Sequence, residues 1–180
     1  MQKLHIIKIG GTLIDDKKAL KAFLAQFSEI EGAKILIHGG GKIAETLAEK
    51  LKIRQTMIDG RRITNKKTLK IVTMVYAGLV NKKIVAGLQA RGCNSIGLTG
   101  ADLNLIEARK RPVKDIDYGF VGDIMGVSTS ELRLLLNEEV VPIVAPITHD
   151  SRGQLLNTNA DTIAADLAIE LSNYFSVNLF

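Results

Sequence analysis

"KILIHGGGKIAETLAEKL", residues 34–51, sets a run of strand-forming residues directly against three glycines and a helix pattern. The strand run ends at His38, Gly39 to Gly41 follow, and Ile43, Leu47 and Leu51 recur at helical spacing. Glycines stand between a buried strand and a helix N-terminus when the turn is tight or when something approaches the backbone closely. Bare N–H groups at a helix start favour an anion. The stretch therefore reads as a βα unit with a candidate anion-binding turn.

The same alternation extends outward in both directions. "KLHIIKI" (3–9) is a strand broken by Gly10-Gly11, and residues 15–30 carry Leu20, Phe23, Leu24 and Phe27 on one helical face. Residues 55–64 centre on Asp59-Gly60, a two-residue hairpin signal. Residues 65–92 are helical, predicted as two helices meeting near Gly78–Asn81, with Asn65 as N-cap and Gly92 past the C-terminus. "NSIGLTG" (94–100) is a strand, 103–112 and 116–127 form an antiparallel pair, and Ser128 or Thr129 caps the next helix. "VVPIVAPI" (140–147) is a strand, "DSRGQLLN" (150–157) a second tight hairpin, 160–172 a helix, and "NYFSVNLF" (173–180) a strand pattern. Alternating strands and helices predict an α/β fold, a three-layer αβα sandwich with a mainly parallel central sheet.

The 180 residues carry a net charge of +5, with 46% hydrophobic and 24% charged residues, a composition ordinary for a globular protein. No stretch approaches the roughly 18 apolar residues of a membrane span. The N-terminus reads directly as a strand, with no signal-peptide pattern. A cytoplasmic location is expected. The single cysteine, Cys93, excludes an internal disulfide and a cysteine-cluster metal site. His5, His38 and His149 have no metal-ligand spacing, so no metal site is predicted. Lys and Arg are spread along the chain without interleaved aromatics, which argues against a nucleic-acid partner.

Two readings compete for the glycine cluster. Gly39-x-Gly41-x-x-Ala44 fits a relaxed dinucleotide fingerprint, and Asp59 lies twenty residues after Gly39. An NAD(P)-binding Rossmann oxidoreductase is therefore one alternative, and a non-catalytic small-molecule sensor another. Lys8 favours a phosphate site. A lysine in a buried parallel strand is costly unless its charge is paired or used, and Gly10-Gly11 follows at once. Ligands of open α/β sheets bind at the carboxyl ends of strands. If the two strands are neighbours, Lys8 and both glycine turns face one crevice. Arg61 and Arg62 suit carboxylate recognition. Asn157, Asn159 and Asp161 crowd a helix start more densely than one cap requires.

"KIGG" (8–11), "HGGG" (38–41), "GRRIT" (60–64), "YAGLVNK" (76–82), "GLTGAD" (97–102), "GFVGDI" (119–124) and "NTNAD" (157–161) occur in order. Together they resemble the acetylglutamate kinases of the amino acid kinase family, up to about Ser172. The resemblance implies transfer of the ATP γ-phosphoryl group to the side-chain carboxylate of an N-acylglutamate, in arginine biosynthesis. By motif, Lys8 would stabilise the transferring group, and Gly10, Gly11 and Gly40 would bind phosphate. Gly40, Gly41, Arg62 and Asn157 would bind the acylglutamate, and Asp161 would orient the catalytic lysine. Mg2+ would travel with ATP, without protein ligands. The family's hairpin acts as a lid, and the helix after it would build a homodimer. Residues 1–172 would be the acylglutamate domain, in the N-terminal half of the fold. Residues 173–180 would start a nucleotide-binding domain otherwise absent. Arg61 stands where the family more often has an apolar or neutral residue; with Asn159 it is a further candidate substrate contact. Its extra charge suggests N-succinyl-L-glutamate in place of N-acetyl-L-glutamate. Lys8 also lies so close to Met1 that no N-terminal extension precedes it, and no feedback inhibition by arginine is expected.

Overall fold

The computed structural model describes residues 1–58 and 61–180. The first half contains β1 (Lys3–Ile9), α1 (Gly11–Asp15), α2 (Lys17–Glu29), β2 (Ala33–His38), α3 (Gly41–Lys50), β3 (Thr56–Ile58), β4 (Arg61–Ile63), α4 (Lys66–Val72) and α5 (Asn81–Gln89). The second contains β5 (Ser95–Leu98), β6 (Ile106–Lys110), β7 (Gly122–Val127), α6 (Thr129–Asn137), β8 (Val141–Val144), β9 (Ile147–His149), β10 (Leu155–Asn157), α7 (Ala160–Leu171) and β11 (Ser176–Leu179).

Five strands form the central sheet in the order β11-β1-β2-β8-β5, every pair parallel. Its two faces bury separate apolar layers. Ile9 and Leu36 pack with α2, α3 and the 66–89 helix. Leu4, Ile6, Ile35 and Ile37 pack with α6 and α7. The αβα sandwich follows from this two-sided burial, since β2 is buried along its whole length. Phe27, Leu36, Ile84 and Leu167 are essentially inaccessible, each contributing roughly 1.5–3 kcal/mol relative to exposure. A second, mixed sheet, β10-β9-β6-β7, continues from β8 through Ala145-Pro146. It carries both the predicted β6–β7 antiparallel pair and the β9–β10 hairpin.

Several local expectations change in detail. The 15–30 helix begins earlier, as α1, and breaks at Asp16, whose carboxylate caps α2 by accepting from the N–H groups of Lys18 and Ala19. The stretch 140–147 divides into two strands in different sheets. Residues 66–89 form one continuous helix, with a π-helical segment over Thr73–Val80 where two helices were expected to meet. By length and composition this helix could cross a membrane, contrary to the expectation that no stretch comes close. Its Leu69, Val72, Val75, Val80, Ile84 and Leu88 are instead buried against the sheet. Asn65 caps it as predicted, and Gly92 takes φ +72° just beyond it. Ser128 stands at the α6 N-cap position without bonding the helix backbone; its hydroxyl donates to Glu131.

The predicted hairpin pairs Thr56 with Ile63 and Ile58 with Arg61. Its tip, Asp59-Gly60, lies outside the described residues, as does the side chain of Arg61. The hairpin is tied to the second sheet by Thr64, whose N–H donates to Tyr118 O (2.9 Å) and whose carbonyl accepts from Phe120 N–H (2.7 Å). Gly119, at φ +72°, makes this approach: a Cβ there would lie 2.3 Å from Thr64 O. At the far edge, β11 pairs with β1, and Phe180 O accepts from Lys8 N–H at 2.8 Å.

Candidate active site

Strand alternation decides which way the key side chains point. Lys8 continues the Leu4–Ile6 face, the side on which α7 packs. Lys8 Nζ meets Asp161 Oδ1, in the first turn of α7, at 2.7 Å. β1 and β2 are neighbours, with Lys8 opposite Ile37 and Ile9 opposite His38. The two glycine turns therefore lie side by side. Gly39 N–H donates to Ile9 O at 3.2 Å, and a Cβ on Gly11 would sit 3.9 Å from Gly41 N.

A cleft of about 510 Å³ opens over these turns. Lys8, Gly10, Gly11, Gly40, Gly41, Arg62, Asn157, Asn159 and Asp161 all line it. Of the candidate residues, only Arg61 has a side chain that the structure leaves undescribed.

Arg62 comes from β4 and is only 7% exposed. Its guanidinium donates to Glu45 Oε1 (2.7 Å), Gln55 Oε1 (2.7 Å) and Gly41 O (3.3 Å). This fixes a cation over the start of α3. Asn157, ending β10, donates from Nδ2 to Thr64 Oγ1 at 3.0 Å. Asn159 caps α7, its Oδ1 accepting from Thr162 N–H at 3.0 Å. The cap role predicted for a residue in this run thus falls to Asn159.

Arg111, Asp123 and Tyr76 are among the cleft residues that had no predicted role. Arg111 bonds Asp123 Oδ1 through Nε (2.9 Å) and Nη2 (2.6 Å), placing an ion pair in the lining of the cleft. Tyr76 lies under Gly40, and burial raises its phenol above the ordinary value. "GFVGDI" and "YAGLVNK" contain Asp123 and Tyr76, so the motifs marked them without assigning a task.

His38 does not line the cleft; it is wholly buried on the other face of the sheet from Lys8. Burial pushes its imidazole down to about 4, although its bond to Gly39 O opposes the shift. An unfolded chain carries an ordinary histidine near 6.5 and so takes up the proton first as pH falls. The His38 contribution to stability is therefore complete above about pH 6.5 and is lost progressively towards pH 4, to the extent of about 3 kcal/mol. Urea midpoints at pH 7.5 and 4.5 check this. The acid loss should shrink in His38→Leu, and an equal loss in both proteins would refute the assignment.

The arrangement defines a class of protein. A lysine held by an aspartate, two glycine turns with helix N-termini and a carboxylate-binding arginine suit transfer of a phosphoryl group to a small acid. The chain belongs to the amino acid kinase family, whose profile matches residues 3–173. It is 57% identical over 178 residues to an acetylglutamate kinase of Phocaeicola vulgatus, covering 99% of this chain and 69% of that protein. It is 56% identical to one of Cytophaga hutchinsonii, covering 99% and 68%. Among solved structures, smu.665 of Streptococcus mutans UA159 superposes with a TM-score of 0.78 at 25% identity, over 94% of this chain and 69% of that one. The oxidoreductase alternative finds no support. The elements after α3 are the antiparallel β3–β4 hairpin, not a parallel strand ending in a ribose-binding acid, and the cleft contains Lys8.

Proposed function

We propose that the chain supplies the acylglutamate and phosphoryl-transfer half of an enzyme that transfers the γ-phosphoryl group of ATP to the side-chain carboxylate of N-acetyl-L-glutamate, a step of arginine biosynthesis. The observation that carries this reading is the convergence of Lys8 and both glycine turns on one cleft that Arg62 and Asn157 also line. A carboxylate oxygen attacks the γ-phosphorus, the bond to the β-phosphate oxygen breaks, and the products are an acyl phosphate and ADP. Lys8 neutralises charge on the transferring group, and Asp161 holds the ammonium in place. The N–H groups of Gly11 and Gly40 bond its oxygens, with Gly10 shaping the turn. Gly41 and Arg62 take the α-carboxylate, and Asn157 takes the acyl amide. Mg2+ would be carried by the nucleotide, without protein ligands, and would neutralise charge on its phosphates. ADP release that requires both MgATP and acetylglutamate, with the acyl phosphate trapped by hydroxylamine, tests the reading; ADP release indifferent to acetylglutamate would refute it. Side-by-side assay of N-succinyl-L-glutamate decides the acyl group.

In this reading residues 1–172 hold the acylglutamate, and 173–180 begin the nucleotide-binding part. The helix over 66–89 forms a homodimer, supported by Met74 and Leu79, which are about half exposed on it. A single-chain mass by sedimentation would exclude the dimer. A cytoplasmic location accompanies these assignments and is open to cell fractionation.

Glu45 is the residue that should tune acceptor affinity. Its carboxylate, 42% exposed, shares Arg62 with the incoming α-carboxylate. Glu45→Gln keeps the hydrogen-bond acceptor and removes the repulsion. With solvent screening, it should lower the acetylglutamate KM about threefold. A raised KM would show that Glu45 chiefly aligns the arginine.

A further inference from the structure

His38 is a titratable side chain beside the glycine turns that the proposed reaction leaves without a task, and its surroundings fix its chemical state. Asn81, at the start of α5, sends Nδ2 to Ile143 O (2.9 Å) and to His38 Nε2 (3.1 Å). A carbonyl only accepts, so the nitrogen end of the Asn81 amide must face Ile143 O and therefore also His38. His38 Nε2 is then the acceptor, and the ring proton sits on Nδ1. Nδ1 lies 2.8 Å from Gly39 O, again an acceptor only. Both contacts demand the same neutral tautomer. Gly97 makes room for this arrangement: a Cβ there would lie 1.8 Å from Asn81 Oδ1.

The Gly39–Gly40 peptide is planar and trans, so its N–H points opposite to its C=O. The carbonyl faces the buried imidazole, and Gly40 borders the cleft. The Gly40 N–H is thereby turned away from the protein interior, and it has no protein acceptor among the described residues. Its neighbours hold it there. Gly39 N–H is tied to Ile9 O, and Gly40 stands at φ +155° against the Tyr76 ring. A misplaced donor loses much of its value in phosphoryl transfer, where catalysis is mostly positioning.

We propose that His38 is a positioning residue. As the Nδ1–H tautomer enforced by Asn81, it grips the Gly39 carbonyl and so aims the Gly40 N–H at the transferring phosphoryl group. The target of that N–H rests on the reaction proposed above. The clamp rests on the His38, Asn81 and Gly39 contacts alone. His38 touches neither substrate nor phosphate and moves no proton.

Long-range 1H–15N correlation on histidine-labelled wild-type protein reads the tautomer. Nδ1–H is expected, and Nε2–H overturns the proposal. Inorganic phosphate titrated into the wild type should shift the Gly40 amide resonance; no shift overturns it. His38→Asn puts an amide N–H where Nδ1 stood and should preserve the phosphate response, whereas His38→Gln and His38→Leu should lose it. In turnover, kcat should fall roughly 30-fold in the Gln and Leu variants and no more than about fivefold in Asn, less than the 10²–10³ of a deleted donor. The acetylglutamate KM should stay within about twofold throughout. Equal losses in Asn and Gln, or losses carried by KM, would point to a merely structural histidine. Should a variant fail to fold, the two wild-type measurements still decide. A wild type that lacks turnover but shows the tautomer and the phosphate shift would remove the assigned reaction and sustain the clamp.

Discussion

Lys8→Ala should lower kcat about 1,000-fold, with little change in acetylglutamate KM or in stability. The magnitude is that of deleting one preorganised charge or donor from a transition state. The sparing of KM follows from placement: Lys8 lies with Asp161 and the glycine turns, whereas the acceptor's α-carboxylate is assigned to Arg62. The sparing of stability follows from exposure. Asp161 is 68% exposed, so losing its partner leaves a carboxylate that water solvates readily. Lys8→Arg should not restore activity, because a planar guanidinium cannot occupy the site of a compact ammonium between two glycine turns. Steady-state kinetics with a urea melt of each variant checks the set. A loss below tenfold, or one expressed in KM, would move Lys8 from the reacting phosphoryl group to substrate binding. An Ala variant that binds acetylglutamate normally, beside a wild type without phosphoryl transfer, would favour a sensor.

Gly119→Ala should cost about 4 kcal/mol. Two penalties combine. The residue sits at φ +72°, which a Cβ resists, and that Cβ would lie 2.3 Å from Thr64 O and 2.9 Å from its carbonyl carbon. Both opposing atoms are backbone and cannot swing aside. Relief requires breaking the Thr64–Tyr118 and Thr64–Phe120 hydrogen bonds. Thr64 Oγ1 also accepts from Asn157, so the hairpin bearing Arg62 and the strand bearing Asn157 should part together. Chemical denaturation measures the stability loss, and a cost under about 1 kcal/mol would show that the Thr64 junction yields easily.

Much of this was legible in the sequence, for definable reasons. Lys8 stood out because a charge in an apolar strand needs a partner, and Asp161 supplies it at 2.7 Å. The meeting of the two glycine turns required only that β1 and β2 be neighbours, which βα alternation favours. Arg111 and Asp123 were hidden because their pairing depends on the β6–β7 register, which shifts at Glu107/Ala108. A bulge of that kind leaves no clear mark in one sequence. The π-helical segment was hidden for a related reason: in a run as apolar as "TMVYAGLV", hydrophobic spacing cannot separate one helical period from another. The small residues near Gly78 suggested a break, and the chain instead widens its helix there. His38 read only as the end of a strand run; its proposed task emerges only when Asn81, from a distant helix, is placed against it.

The strand that bears Lys8 also dictates an order of events during synthesis. β1 leaves the ribosome well before α7 and β11, and β2 follows closely enough to pair with it early. The aspartate that meets Lys8 Nζ and the carbonyl that accepts its amide proton, Asp161 and Phe180, emerge only near the far end of these 180 residues. Such distant pairings raise the contact order and slow folding. Until they form, the outer edge of β1 is open to a strand from another nascent chain. The segment that would serve the chemistry is thus also the one most dependent on protection while the protein is being made.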